Sequence, residues 1–200
     1  MPAGPQKKVC PECGHVFQGN GWDGIDAHWR SKHEDTMSYG DAWPLIRSGR
    51  YVPASSRQRT ASCRCGQLTV TCEGEPVRVS VCHCFACQQR SGSAFAVQAR
   101  WPDEQISIEG ETRTWVRTAD SGNRATYYFC PVCGSTMAYV IEGWPGVTAV
   151  PAGNFTDLDF PAPKHSVYEN RKHAWVEILG EGVEHSTSVS AARKPGLDLR

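Results

Sequence analysis

The sequence predicts a mainly β protein, built as a β-rich domain of several short strands held together by bound metal. Three observations lead to this fold class. Apolar and polar side chains alternate in several short segments, as in 68–72, which is the period of a strand. Nineteen glycines and thirteen prolines divide the chain into short elements rather than long helices. Ten cysteines lie mostly in closely spaced groups, as metal ligands do.

Strand patterns recur through the middle of the chain. Residues 68–72, 77–81 and 106–108 alternate between apolar and polar side chains, and residues 112–118, 125–129 and 137–141 are rich in β-branched and aromatic residues. Turn-forming residues separate several of these segments, at 73–76, 121–123 and 143–146. No part of this region has the pattern of an amphipathic helix of three turns. Because such a core is small, we expect metal to stabilise it.

Composition shifts divide the chain into four zones. We expect a zinc-binding segment at 1–36, an arginine-bearing linker at 37–59, the main zinc domain at 60–182 and a polar tail at 183–200. The linker is locally positive, since it carries Arg47, Arg50, Arg57 and Arg59. The tail lacks periodicity, and we expect poor order beyond the middle of the 180s.

Charge and hydropathy restrict the partners and the compartment. The chain has 21 basic and 21 acidic side chains, so overall charge does not indicate nucleic acid as the main partner. No apolar run is long enough to cross a bilayer, and no signal peptide is recognisable, so we expect a cytoplasmic protein with no membrane partner. In a reducing compartment the cysteines are expected to bind metal rather than form disulfides. The oligomeric state cannot be read from the sequence.

Two cysteine pairs are separated by most of the main domain. Cys63 and Cys65 are followed by Gly66, and Cys130 and Cys133 by Gly134. Each glycine lets the chain turn its N–H groups toward the sulfurs. Together the pairs supply four thiolates, which predicts a closed, structural zinc site.

Cys82, Cys84 and Cys87 form a different group. Three sulfurs lie within six residues, and the main domain has no fourth cysteine pair to join them. One interpretation is an open zinc site of the catalytic kind, with three protein ligands. The other is a second structural zinc that takes His83, or a distant histidine such as His165, as its fourth ligand. Spacing alone does not separate the two. The following segment, 88–93, could shape a small polar pocket, and we assign Cys72 no function.

The N-terminal segment has the ligands of a two-Cys, two-His zinc finger. Two residues separate Cys10 from Cys13, fourteen separate Cys13 from His28, and four separate His28 from His33. Phe17 and Ile25 stand where such fingers place core residues, so a small ββα-like zinc finger is expected. One finger with an acidic helix is weak support for DNA reading, and a structural or protein-docking role is preferred. Nucleic acid remains a possible partner through the arginine linker.

The main domain resembles the glutathione-dependent formaldehyde-activating enzyme family, which includes centromere protein V. The matching stretches are 62–66, with Cys63 and Cys65, 81–92, with Cys82, Cys84 and Cys87, and 129–135, with Cys130 and Cys133. Supporting matches are 151–155, His165 and Trp175. The N-terminal finger and the arginine linker are not part of the family's core pattern.

The resemblance implies a fold, a cofactor and a reaction. The expected fold is a zinc-stapled β-tent of small antiparallel sheets. The four-cysteine group resembles the family's structural zinc site, and Cys82, Cys84 and Cys87 its catalytic one, so two zinc ions are expected in the main domain and a third in the finger. The implied activity is a carbon–sulfur lyase that combines formaldehyde, or a related aldehyde, with glutathione or another small thiol.

Zinc would make and orient the thiolate at the three-cysteine group. Arg90 is a candidate partner for a glutathione carboxylate, and an exposed structural arginine is the alternative. The leading rival function is a non-catalytic zinc module that contacts nucleic acid or a protein through the finger and linker. A redox sensor is a third possibility that no residue favours.

Overall fold

The computed structural model describes residues 7–19 and 21–188. These residues divide into two compact units, with the boundary between Arg57 and Gln58. No described helix is long and apolar enough to cross a bilayer. The helices are α1 (Ile25–Lys32), α2 (Tyr39–Arg47) and α3 (Phe85–Ser91). The strands are β1 (Gln58–Ser62), β2 (Thr69–Glu73), β3 (Arg78–Cys82), β4 (Ala96–Pro102), β5 (Ile106–Glu109), β6 (Arg113–Thr118), β7 (Arg124–Phe129), β8 (Thr136–Ile141), β9 (Val147–Pro151), β10 (His165–Val167) and β11 (Glu184–Ser186).

The first unit packs α1 and α2 around aromatic side chains. A bridge between Val9 and Val16 precedes α1, so this segment has a short β turn followed by a helix. The core residues of the unit are Cys10, Phe17, Ile25, Trp29, Ala42, Ile46 and Tyr51.

The segment predicted as a linker, 37–59, does not run as an open connection. Ser38 caps α2 by accepting a hydrogen bond from the Asp41 N–H, and Ala42 and Ile46 of this helix are buried. Tyr51 donates to Glu12 at 2.5 Å and meets the Trp29 ring edge-on at 5.2 Å. The sequence analysis did not predict α2, because a short helix with two buried positions gives too weak a periodic pattern to be recognised. The predicted zone boundaries themselves stay predictions.

The second unit is a β structure of two sheets, which confirms the predicted mainly β fold. A three-stranded sheet has the order β1-β2-β5, and an eight-stranded sheet has the order β11-β10-β3-β4-β9-β8-β7-β6. All six predicted strand segments are present, as β2, β3, β5, β6, β7 and β8. Most pairs are antiparallel, but β10 runs parallel to both β3 and β11, so the larger sheet is mixed rather than wholly antiparallel. Residues 184–186 of the predicted polar tail form β11, and the tail beyond 188 lies outside the described residues.

The two faces of the larger sheet have different roles. On β3 and β4, Val79, Ala99 and Trp101 face the apolar core, which they share with residues of the smaller sheet such as Val70 and Cys72. Because side chains alternate between faces along a strand, the residues between them point to the opposite side. That opposite face carries the polar side chains described next.

Candidate metal centres and the adjoining cavity

Three groups of cysteine and histidine side chains converge among the described residues. Within each group the ligand atoms all lie within 4.8 Å of one another. The groups are Cys10, Cys13, His28 and His33; Cys63, Cys65, Cys130 and Cys133; and Cys82, Cys84 and Cys87. All ten cysteines have free thiols, so no disulfide competes with metal binding. The structure therefore brings together all eleven Cys and His residues that the sequence analysis assigned to the three groups, whereas metal binding by them stays a prediction.

The four-cysteine group has the geometry of a tetrahedral thiolate site. The Sγ atoms of Cys63 and Cys65 are 3.5 Å apart, and those of Cys65 and Cys130 are 3.6 Å apart. Two sulfurs bound to one tetrahedral zinc, with Zn–S bonds of about 2.3 Å, would stand about 3.8 Å apart. The observed Sγ–Sγ distances are close to this value, so the four sulfurs are placed to bind one tetrahedral ion.

A tight turn ending in glycine follows each cysteine pair. The Gly134 N–H donates to the Cys130 carbonyl and the Gly66 N–H to the Cys63 carbonyl, both at 2.9 Å. Gly66 and Gly134 have φ values of 81° and 75°, the left-handed region that favours glycine. Both glycines thus turn the chain at the cysteine pairs, but their own N–H groups bond to carbonyl oxygens rather than to the sulfurs.

Gln67 supports this group, and the sequence analysis missed it. Its Nε2 donates to the Cys130 Sγ at 3.0 Å and to the Glu111 carbonyl at 2.9 Å, while its Oε1 accepts from the Glu111 N–H. The side chain therefore links the metal group to the loop before β6. On the other side, hydrogen bonding with the Ser135 hydroxyl lowers the pKa of Cys133 to about 5, which favours the thiolate that a metal requires. The signal that could have pointed to Gln67 in the sequence is its position as a polar residue two places after Cys65.

The finger-like group combines two cysteines with two histidines. The Cys13 Sγ lies 3.3 Å from the His28 Nε2, which lies 3.2 Å from the His33 Nε2. Burial lowers the pKa of His28, as do the nearby His15 and His33 rings, so its imidazole is kept neutral, the form that binds metal. His15, which the sequence analysis did not single out, stacks on His28 with ring centroids 4.6 Å apart.

The three-cysteine group lies where β3 meets α3. Cys82 ends β3, Cys84 caps α3, and the Cys87 N–H donates to the Cys84 Sγ at 3.4 Å. Hydrogen bonds with Cys82 and Cys87 lower the pKa of Cys84, and the hydrogen bond with Cys84 raises the pKa of Cys82. Three sulfurs this close can all ionise only with a cation between them, so the donor set fits a divalent metal.

Neither histidine considered as a fourth ligand joins this group. His83 is fully buried, and its Nε2 lies 3.1 Å from the Ser166 hydroxyl. The His165 Nδ1 lies 3.2 Å from the carboxylate of Glu184. Among the described residues, the group therefore has three protein ligands and no fourth.

A cavity of about 260 Å³ opens beside the three sulfurs. Its wall includes Cys82, Cys84 and Cys87, together with Arg100 and Arg117. A second, more open cavity of about 600 Å³ shares Arg117 and other lining residues with it. Both belong to the second unit, and a small molecule in the first cavity would stand against the sulfurs.

Charged side chains at the rim are held by ion pairs. Asp120 pairs with Arg171 and, at 3.2 Å, with Arg117. Hydrogen bonds from Arg171 and Arg117, together with the charge of Arg171, lower the pKa of Asp120, which favours the ionised carboxylate. The Arg117 guanidinium also acts on Cys84, whose pKa it helps to lower. A fixed positive charge therefore stands beside the reactive end of the cavity.

The segment 88–93 contributes less to this cavity than expected. Gln88 donates to the His83 carbonyl at 2.7 Å, and Ser91 donates to the Cys87 carbonyl at 2.8 Å, so both stabilise α3 and its approach. Arg90 lines the second cavity, stacked over Tyr127 and Tyr139 at 5.9 and 5.4 Å. The Ser91 hydroxyl bonds to the backbone of α3 and does not line the cavity, because a serine near a helix end can donate to the last carbonyl groups.

Comparison with known proteins gives one family. Residues 58–171, more than half of the chain, match the family described as glutathione-dependent formaldehyde-activating enzyme. No curated protein matches. Among solved structures, the chain is similar to a Rhodobacter sphaeroides protein from a structural genomics programme, with 17% identity and a TM-score of 0.40 over 50% of this chain and 90% of that one.

Proposed function

This chain belongs to the glutathione-dependent formaldehyde-activating enzyme family, and we propose that it is a zinc-dependent carbon–sulfur lyase acting at Cys82, Cys84 and Cys87. The reaction joins a small thiol, glutathione in the first instance, to formaldehyde or a related aldehyde. The observation that carries the proposal is a group of three cysteines with no fourth protein ligand among the described residues, set in the wall of a cavity.

The donor set indicates what a bound ion would supply. Cys82, Cys84 and Cys87 would hold a zinc ion through three thiolates, and an ion with a position left open would supply the charge that favours the thiolate form of an incoming thiol. In the net reaction the sulfur forms a bond to the aldehyde carbon, the carbonyl π electrons move to oxygen, and the thiol proton ends on that oxygen. The product is a hemithioacetal, which is the S-hydroxymethyl adduct when the aldehyde is formaldehyde, and no oxidant or reductant is needed.

The side chains of the cavity orient the two reactants. Cys84 and Cys87 are held by the first turn of α3, and Cys82 by the β3 ladder, so the three sulfurs keep their positions as substrate enters. Arg117, fixed by Asp120, supplies a positive charge where negative charge develops on the aldehyde oxygen. Tyr127 and Tyr139 give the wall an aromatic surface that limits water.

Two zinc ions in the second unit and a third in the finger-like group remain part of the proposal. The cytoplasmic location also stays a prediction. The finger is proposed to be structural, because Cys10 packs with Phe17, Ile25 and Trp29, and the His28 and His33 rings contact Phe17 and Trp29.

The test is exchange between free formaldehyde and its glutathione adduct, followed by NMR with and without protein. We expect the zinc-loaded protein to accelerate the exchange above its spontaneous rate, and Cys84→Ala to leave the spontaneous rate unchanged. Cys72→Ala is the matched control, because Cys72 is buried and outside all three groups. Equal acceleration by Cys84→Ala would overturn the proposal.

A further inference from the structure

The end of the cavity away from the cysteines is polar and deeply buried. Arg78 pairs with Arg100 and Ser80 with Gln98 across β3 and β4, while Cys82 pairs with Ala96. Because alternate residues share a face, Arg78, Ser80 and Cys82 all point to the side of the sheet that forms the cavity. The cavity wall therefore runs from the sulfur of Cys82 to a pair of arginines.

Arg100 is the central group at this end. Its side chain is only 8% exposed, and Ser80 and Gln98 beside it are each 2% exposed. The Arg100 Nη1 donates to the Ser80 hydroxyl at 3.1 Å, and the Gln98 Nε2 donates to the same hydroxyl at 3.1 Å. The guanidinium lies over the Trp144 ring at 4.8 Å. These contacts hold Arg100 in place at the cavity wall.

None of the ion pairs found among residues 7–19 and 21–188 gives Arg100 a carboxylate. A buried guanidinium is costly unless an anion compensates it. Arg78 adds positive charge next to it: burial and the charge of Arg100 lower the pKa of Arg78 to about 10, with Glu184 acting in the opposite direction. This end of the cavity therefore favours an anionic group.

Gln98 supplies the complementary polar atom. Its Oε1 is buried and has no hydrogen-bond partner in the described part of the chain, although the residue lines the cavity. An amide oxygen accepts hydrogen bonds, so it suits an N–H or ammonium donor of a ligand. A buried acceptor left without a partner has a free-energy cost that such a donor would remove.

The separation of the two ends sets the size of the ligand. The Arg100 guanidinium donates to Ser80, which precedes Cys82 by two residues on β3, about 7 Å at about 3.4 Å per residue. A ligand whose sulfur lies at the cysteines therefore needs its anionic group a few bonds away from that sulfur to reach Arg100.

From these observations we propose that Arg100, Gln98 and Ser80 form a subsite for the carboxylate and adjacent nitrogen of an amino-acid-type thiol. The inference rests on the proposed function, since it places the thiol of that reaction in this cavity. It makes Arg100 a specificity-determining residue: the carboxylate end binds there while the sulfur lies at Cys82, Cys84 and Cys87.

Calorimetric binding to the zinc-loaded full-length protein tests the subsite. S-methylglutathione reports carboxylate binding without a reactive thiol, and glutathione diethyl ester keeps the thiol with its carboxylates blocked. We expect Arg100→Met to weaken S-methylglutathione and glutathione about tenfold to a hundredfold, as loss of charged hydrogen bonds does, and to leave the ester unchanged. Arg113→Met, on the exposed face of β6, is the matched control and should change none of the three.

Several results would overturn the subsite. The first is that Arg100→Met binds S-methylglutathione as tightly as the wild type does. The second is that the wild type binds glutathione and its diethyl ester equally well. The third is that the wild type does not bind S-methylglutathione. If Arg100→Met does not fold, Arg100→Lys keeps the charge and loses the planar fork, and it should still weaken S-methylglutathione selectively.

The exchange assay separates this inference from the lyase proposal. Arg100-dependent binding of S-methylglutathione without accelerated exchange would overturn the lyase and support the subsite. Accelerated exchange with an unchanged KM for glutathione in Arg100→Met would support the lyase and overturn the subsite.

Discussion

The four-cysteine group and the three-cysteine group use the same ligand atom and differ in what surrounds it. Around Cys63, Cys65, Cys130 and Cys133, four sulfurs suffice for one tetrahedral ion, and the Leu68 N–H and the Gln67 side chain donate hydrogen bonds to two of them. Around Cys82, Cys84 and Cys87, one side is a helix turn and the other is a cavity. Ligand number and local packing, rather than ligand type, therefore separate a site suited to folding from one suited to binding.

The largest expected effect is loss of the closed site. Cys130→Ala removes one of four ligands from a group that joins the loop after β1 to the turn between β7 and β8, so the second unit should unfold or aggregate. Circular dichroism and zinc content measure this. Cys72→Ala, which truncates a buried cysteine outside the groups, should cost about 1 kcal/mol and keep all zinc. A folded Cys130→Ala protein with the wild-type melting temperature would remove the distinction between the two groups.

Loss of the open site should have a smaller effect on stability. Cys84→Ala leaves the sheets and the core untouched, because Cys84 caps a short helix at the edge of the cavity. We expect a folded protein with one zinc fewer per chain and no accelerated exchange. Metal analysis beside a thermal melt checks this, and unfolding as severe as that of Cys130→Ala would show that both groups are structural.

Gln67 tests whether packing around the sulfurs matters as much as their number. Gln67→Leu removes the donor to Cys130 and leaves the Glu111 backbone without its two side-chain bonds. We expect zinc at the closed site to bind about tenfold to a hundredfold more weakly, as is typical when a residue that orients a ligand is lost. Competition with a chelator gives the affinity. Gln58→Leu, at an exposed position of β1, is the control and should match the wild type.

The smallest effect is expected at the glycine turns. An added Cβ at Gly134 would meet no atom within 4 Å, so Gly134→Ala should cost only the left-handed backbone conformation, about 1–2 kcal/mol. Denaturant unfolding measures this. Gly153→Ala, where φ is ordinary and the space is also open, should be close to neutral. Equal stability of the two variants would mean that the turn geometry contributes nothing to the closed site.

Much of the fold could be predicted because cysteine spacing and strand periodicity are local signals. The three ligand groups and six strands were predicted from short patterns. Strand β4 was missed although Val97 to Trp101 alternates, and the burial of its polar members Gln98 and Arg100 could not be predicted from this pattern, which is that of a strand with one face in solvent. The parallel pairing of β10 and the contact of Gln67 with Cys130 depend on residues far apart in the chain, which no local pattern reports.

The most direct test of the account is a glutathione titration of the cobalt-substituted protein followed by its sulfur-to-metal charge-transfer absorption. We expect the spectrum to change for one cobalt per chain and the change to disappear in Cys84→Ala, because among the groups of the described residues only the three-cysteine group would leave a coordination position for an incoming thiol. A spectrum that glutathione leaves unaltered, or an unchanged response in Cys84→Ala, would contradict the account.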